Sequence, residues 1–153
     1  MIEINNRKAK FDYEILDTYE TGIVLTGTEI KSVKEGNANL KDSYAIIRNN
    51  EVFLINMHIS EYKEGNIFNH EEKRTRKLLL HKKEILKIKD RINLESLTLV
   101  PLKLYFIKNK AKLLVGVAKG KKSFDKRESI KKRDMDLEIK KRFKNWLFNL
   151  FNI

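Results

Sequence analysis

The chain has 153 residues, a length suited to one domain, and its 33 Lys and Arg against 21 Asp and Glu give a formal net charge of +12. It contains no cysteine, which excludes a disulfide scaffold, a cysteine-type zinc site and thiol catalysis. No apolar run approaches the ~18 residues of a membrane span and no secretory pattern opens the sequence, so a cytoplasmic protein without integral membrane association is expected.

In chain order, Phe11, Tyr13 and Ile15 alternate with Asp12 and Glu14 and predict a half-buried strand over 11–16, and Ile23 to Thr26 fits a second. The stretch from Gly27 to Gly36 predicts a short helix, with Thr28 as N-cap, Ile30 and Val33 as the buried pair and Gly36 as a left-handed stop. Tyr44 to Arg48 and Glu51 to Met57 read as strands joined at Asn49-Asn50, because asparagine tolerates the positive φ of a two-residue hairpin. The polar stretch from Ser60 to Arg76, with Gly65 in its middle, reads as a loop, and so long a loop in a compact domain is usually functional or mobile. His81 to Ile92 carries Ile85, Ile88 and Ile92 at helical spacing. Leu97 to Ile107 and Ala111 to Ala118 are the last strands, around a second asparagine hairpin at Lys108-Asn109-Lys110. Pro101, the only proline, marks an edge, a bend or a bulge in the first of them. Short strands with hairpin connections and two or three peripheral helices predict a mainly β fold, a small antiparallel barrel of the oligonucleotide-binding type.

The charge is unevenly placed. From Lys119 to Lys144 twelve basic residues face five acidic ones, a net of +7, which leaves +5 for the first 118 residues. The expected organisation is a barrel domain over 1–118 and a basic tail over 119–153. Phosphate chains reward such a tail, since every Lys or Arg that neutralises a phosphate releases a condensed counterion. Between Lys119 and Arg133 only Phe124 and Ile130 are large and apolar, too little burial to offset ordering, so this stretch is expected to be disordered until bound and helical on a partner. Beyond it Met135, Ile139, Phe143, Trp146, Leu147 and Leu150 form a stripe at helical spacing. The residues of the tail leave three partners open: nucleic acid, an anionic membrane surface and a groove on another protein.

The residues argue against catalysis. His58, His70 and His81 lack metal-ligand spacing, and neither a glycine-rich phosphate loop nor a Gly-x-Ser-x-Gly elbow is present. Asp125 and Glu128 lie among lysines and arginines that compete for their carboxylates. No enzymatic activity, cofactor or metal is expected.

Several motifs occur in order: Asn6-Arg7-Lys8-Ala9, Thr18-Tyr19-Glu20-Thr21-Gly22, Gly27-Thr28-Glu29-Ile30-Lys31-Ser32, Asn39-Leu40-Lys41-Asp42-Ser43-Tyr44, Phe68-Asn69-His70, Arg74-Thr75-Arg76-Lys77-Leu78-Leu79-Leu80 and Ala118-Lys119-Gly120-Lys121-Lys122-Ser123-Phe124-Asp125-Lys126-Arg127. Together they closely resemble the SsrA-binding protein family, small protein B, the bacterial partner of tmRNA (SsrA RNA) in ribosome rescue. The resemblance implies a two-ended adaptor. Its barrel holds the tRNA-like domain of tmRNA, and its tail occupies the small-subunit decoding centre and empty mRNA channel of a stalled 70S ribosome during trans-translation. Elongation factor Tu, carrying the aminoacylated tmRNA, is an implied further partner.

Carried over by position, the resemblance implies tmRNA contacts at Asn6, Glu20, Lys34 and Leu79, with basic support from Arg7, Arg76, Lys77 and Lys119. It implies ribosome contacts at Lys121, Lys122, Phe124, Asp125, Lys126, Arg127, Lys131, Lys132 and Arg133. Phe124 stands where the family often has histidine, which keeps stacking but removes a hydrogen bond, and Met135 replaces an aromatic residue of some relatives. Without the resemblance, Glu20 reads as a surface charge and Leu79 as a core residue.

Overall fold

The computed structural model describes residues 2–121, 137, 141 and 142. The chain divides into two units, Met1–Gly120 and Lys121–Ile153. In the first unit the order is β1 (Ile4–Asn5), α1 (Arg7–Asp12), β2 (Tyr13–Ile23), α2 (Gly27–Lys34), β3 (Ala38–Asn39), β4 (Tyr44–Arg48), β5 (Glu51–Ile55), β6 (His58–Ile59), a 3-10 turn (Asn66–Phe68), β7 (Arg76–Leu79), α3 (Lys82–Glu95), β8 (Thr98–Ile107) and β9 (Lys110–Gly120). The antiparallel sheet runs β1-β8-β4-β5-β7-β2-β9 and returns through β8–β9 pairing, so β8, β4, β5, β7, β2 and β9 close into the expected barrel. β4 meets β8 at one pair, Ala45 with Leu99, and β3 with β6 forms a separate ribbon.

Both hairpins turn as their asparagines demand. Asn49 and Asn50 have φ of 52° and 59°, and Lys108 and Asn109 have 49° and 65°, the left-handed pairs of two-residue turns. Gly36 stops α2 at φ 81°. The ladder shifts register between Pro101 and Lys103, a bulge that absorbs the proline.

Elsewhere the chain departs from the sequence reading. Residues 7–12 are helical, because Asn6 caps them through Oδ1, which accepts from the Ala9 N–H at 3.2 Å. A helix of six residues is too short to show a period. The strand that follows is one run of 11 residues, not two short ones. A bulge between Ile15 and Asp17 shifts the pairing with β9 by one residue, so Tyr13 and Ile15 pack in a small cluster with Ala9 and Ala118, whereas Tyr19, Thr21 and Ile23 face the main core. The N-cap of α2 is Thr26, which exchanges bonds with Glu29 in a capping box, and the buried residues are Glu29, Ser32 and Val33. β7 lies at the end of the supposed loop, and its alternation hides because one inward residue is an arginine.

The barrel core is built on Val33, Leu40, Val52, Leu54, Met57, Ile59, Leu113 and Val117, all 0–1% exposed. A smaller cluster of Ala9, Val100, Leu102 and Ala118, with Tyr13, Ile15 and Leu114, packs where α1 meets β8. Asn6 ties these layers: its Nδ2 donates to the Pro101 carbonyl at 2.8 Å and the Leu40 carbonyl at 3.3 Å. Asn6→Ala is expected to lower stability by about 2 kcal/mol in urea denaturation, from a lost cap and unpaired buried carbonyls.

Candidate nucleic-acid interface

Strand pairing builds the site. Gly22 of β2 lies opposite Leu79 of β7 and Lys112 of β9, and Lys112 lies opposite Tyr105 of β8. Residues directly opposite share a face, so Leu79, Gly22, Lys112 and Tyr105 form a row across four strands. The adjacent row on that face holds Glu20, Leu114 and Lys103.

The Tyr105 hydroxyl donates to the Glu20 carboxylate at 2.5 Å and fixes its position. Burial first, and then the Glu20 hydrogen bond and charge, push the Tyr105 hydroxyl up to about 12, so it remains a donor at neutral pH. The Lys103 ammonium lies 5.1 Å from the Tyr105 ring centroid and 2.9 Å from Glu3.

Leu79 is 53% exposed, while its neighbour Leu78 is 1% exposed, so Leu79 belongs to the surface and not to the core. It lies close over β2: a Cβ at Gly22 would come within 3.2 Å of the Leu79 Cβ. Glu20, Gly22, Leu79, Leu80, His81, Glu84 and Lys112 line a cleft here. An exposed apolar side chain suits the face of an unstacked base, and a held carboxylate accepts from base N–H groups. The lysines beside them suit phosphate.

The other expected contacts are spread around this patch. Lys77 is exposed on β7 and lies 3.4 Å from Glu51. Lys119 is exposed on β9 opposite Glu14, and Arg7 is exposed on α1. Lys34 sits elsewhere, with its ammonium 5.5 Å from the Phe106 ring, beside a hollow lined by Ile2, Phe106, Lys108 and Asn109. Asn6 is 5% exposed and its amide is bonded inside the fold, so its part is to hold α1 and thereby Arg7.

Arg76 needs correction as a phosphate contact. It is 0% exposed, and its guanidinium donates to Glu29 at 2.5 Å, the Met57 carbonyl at 2.6 Å and the Glu72 carbonyl at 3.2 Å. Strand alternation explains it: Arg76 and Leu78 share the inward phase, and Lys77 and Leu79 the outward one. Lys121 is described and half-buried; Lys122, Phe124, Asp125, Lys126, Arg127, Lys131, Lys132 and Arg133 lie outside the described residues.

Sequence reasoning missed Tyr105, Lys112 and Lys103. The alternation Lys103-Leu104-Tyr105 carries the signal, once Pro101 is allowed to shift its phase by one residue. Tyr105→Phe is expected to keep the fold and to weaken RNA binding about fivefold in filter assays, the worth of roughly 1 kcal/mol for one positioning hydrogen bond.

Among the described residues, no helix is long and apolar enough to cross a membrane, and no three His, Cys, Asp or Glu form a group that would hold a metal ion. The family model of the SmpB protein matches residues 3–145. The SsrA-binding protein of Enterococcus faecalis is 56% identical over 140 residues, covering 92% of this chain and 91% of that protein. The SsrA-binding protein of Carboxydothermus hydrogenoformans is 58% identical over 136 residues, 89% and 91% of the two chains. A chain of the solved structure described as "tmRNA-SmpB: a journey to the center of the bacterial ribosome" matches with a TM-score of 0.68 and 44% identity, over 80% of this chain and 87% of that one.

Proposed function

This chain belongs to the SmpB family of SsrA-binding proteins, and from that premise we propose that it is a cytoplasmic adaptor that binds the tRNA-like domain of tmRNA and delivers it to stalled ribosomes for trans-translation. It works by recognition, without catalysis. The observation that carries the barrel's part is the outward row of Leu79, Gly22, Lys112 and Tyr105 beside a Glu20 carboxylate held by the tyrosine. Leu79 takes a base face, Glu20 discriminates base edges, and Lys77, Lys119 and Arg7 attract phosphate without reading sequence.

The tail from residue 119 is the second end. Its net +7 supports placing Lys121, Lys122, Lys126, Arg127, Lys131, Lys132 and Arg133 against ribosomal RNA phosphates in the decoding centre and mRNA channel, with Phe124 stacking on a base and Asp125 completing the contact set. Elongation factor Tu, bound to the aminoacylated tmRNA, joins as the third component.

The reading is tested by purifying the protein from its cells and sequencing the bound RNA. One dominant species with a tRNA-like domain and a short open reading frame is expected; a broad mixture of unrelated transcripts overturns it.

A further inference from the structure

Ile67 and Phe68 are 89% and 84% exposed, and among the described residues the only other large apolar side chain so bare is Leu94, at 85%. They are neighbours on the 3-10 turn between β6 and β7, and the turn is built to present them. Asn69 closes its neck as a strand residue would: its Oδ1 accepts from the Tyr62 N–H at 3.0 Å, and its Nδ2 donates to the Tyr62 carbonyl at 2.5 Å. Inside that neck the Gly65 N–H donates to the Tyr62 carbonyl at 2.9 Å and the Phe68 N–H to the Gly65 carbonyl at 3.2 Å. The next residue, His70, is 8% exposed and anchors the loop between the Thr28 hydroxyl and the Ile59 carbonyl, each at 2.9 Å. A tethered loop that holds two adjacent large apolar side chains in water has the form of a docking anchor.

The charge around this anchor selects its partner. In a chain of net charge +12, residues 60–75 hold Glu61, Glu64, Glu71 and Glu72, all exposed, against Lys63, Lys73 and Arg74. Arg74 is already bonded to the buried Glu29 at 2.6 Å, Glu72 is bonded to His58 at 2.7 Å, and from α2 the Lys31 ammonium lies 5.5 Å from the Tyr62 ring. What faces solvent keeps a small acidic excess in a chain of net charge +12, which favours cationic side chains over phosphate as its partner.

We propose that the Ile67-Phe68 tip is a second docking surface, which seats in an apolar pocket on a basic protein of the ribosome. It rests on the ribosome-delivery reading for where that protein is found. The tip shares no residue with the Glu20–Leu79 face, so one barrel can hold RNA and a protein at once.

The test uses the full chain, bound to tmRNA on purified stalled ribosomes, with the photo-crosslinking change Phe68→p-benzoylphenylalanine. The expected product on irradiation is a ribonuclease-resistant adduct to one basic ribosomal protein. An adduct to ribosomal RNA, to tmRNA or to a second copy of this chain overturns the proposal, as does the absence of an adduct. In parallel, Ile67→Ser combined with Phe68→Ser is expected to slow tagging on stalled ribosomes at least tenfold while tmRNA affinity stays within twofold of the unaltered protein. An equal loss of tmRNA affinity, or unchanged tagging, contradicts it. If the unaltered protein fails to bind tmRNA, the functional reading fails; with that binding intact, only the docking proposal is at stake.

Discussion

Glu29→Ala is expected to remove about 3–5 kcal/mol of folding stability, a large part of the ~5–15 kcal/mol typical of a domain. Glu29 and Arg76 are both 0% exposed. The carboxylate accepts from Arg76 at 2.5 Å, Arg74 at 2.6 Å and the Thr26 N–H at 2.8 Å. Alanine leaves the Arg76 guanidinium inside the protein with carbonyl partners alone, and an uncompensated buried charge is the costly outcome. Glu29→Leu combined with Arg76→Met is expected to lose less than either single change, because both desolvated charges leave together. The pH dependence follows. Burial pushes the Glu29 carboxyl up, but the hydrogen bonds from Arg74 and Thr26 and the charge of Arg76 outweigh it and hold the carboxyl below its ordinary value. A depressed carboxyl contributes stability that is present above its unfolded pKa of about 4.3 and is lost as pH falls through the folded value. Melting temperatures at neutral and acid pH check this: the unaltered protein loses that contribution in acid, and Glu29→Ala has already lost it at neutral pH.

Glu20→Ala is expected to weaken binding of the tRNA-like tmRNA fragment by roughly 5- to 150-fold, about the 1–3 kcal/mol that one well-placed base contact is worth. Its melting temperature should stay close to that of the parent, since Glu20 is exposed and its bond to Tyr105 lies at the surface. The combined change Asp125→Ala, Lys126→Ala and Arg127→Ala is expected to do the opposite: fragment affinity nearly intact, tagging on stalled ribosomes abolished. Filter binding and an in vitro tagging assay on the same preparations read both. Loss of fragment affinity in the tail variant contradicts a division of labour between the two ends.

The contrast between Arg76 and Leu79 shows how much of this was legible. Both stand in one motif, Arg74-Thr75-Arg76-Lys77-Leu78-Leu79-Leu80, and hydropathy alone puts the arginine outside and the leucine inside. The structure reverses both, because strand phase is common to alternate residues and Glu29 waits inside to neutralise the cation. That partner lies 47 positions away, beyond the reach of any local pattern. The hairpins at Asn49-Asn50 and Lys108-Asn109-Lys110 were legible from their asparagines, which tolerate positive φ, although the second closes in two residues, with Lys108 drawn into the turn and Lys110 already in β9. The continuity of β2 and the outward aim of Tyr105 were not, because bulges after Ile15 and Pro101 each shift the strand pairing by one residue. Residue chemistry marked the basic tail, and the family resemblance marked Glu20; the Tyr105 hydroxyl that positions Glu20 emerged only when β8 and β9 were paired.

The most direct measurement is the affinity of the full-length protein for a tRNA-like tmRNA fragment and for an unrelated RNA of equal length, followed from about 50 to 300 mM salt. Affinity for both RNAs should fall steeply as phosphate contacts are screened, and the preference for the tRNA-like fragment should persist at high salt and shrink in Glu20→Ala. Equal affinity for the two RNAs, or a response flat with salt, contradicts a barrel face that reads a folded RNA through one held carboxylate among lysines.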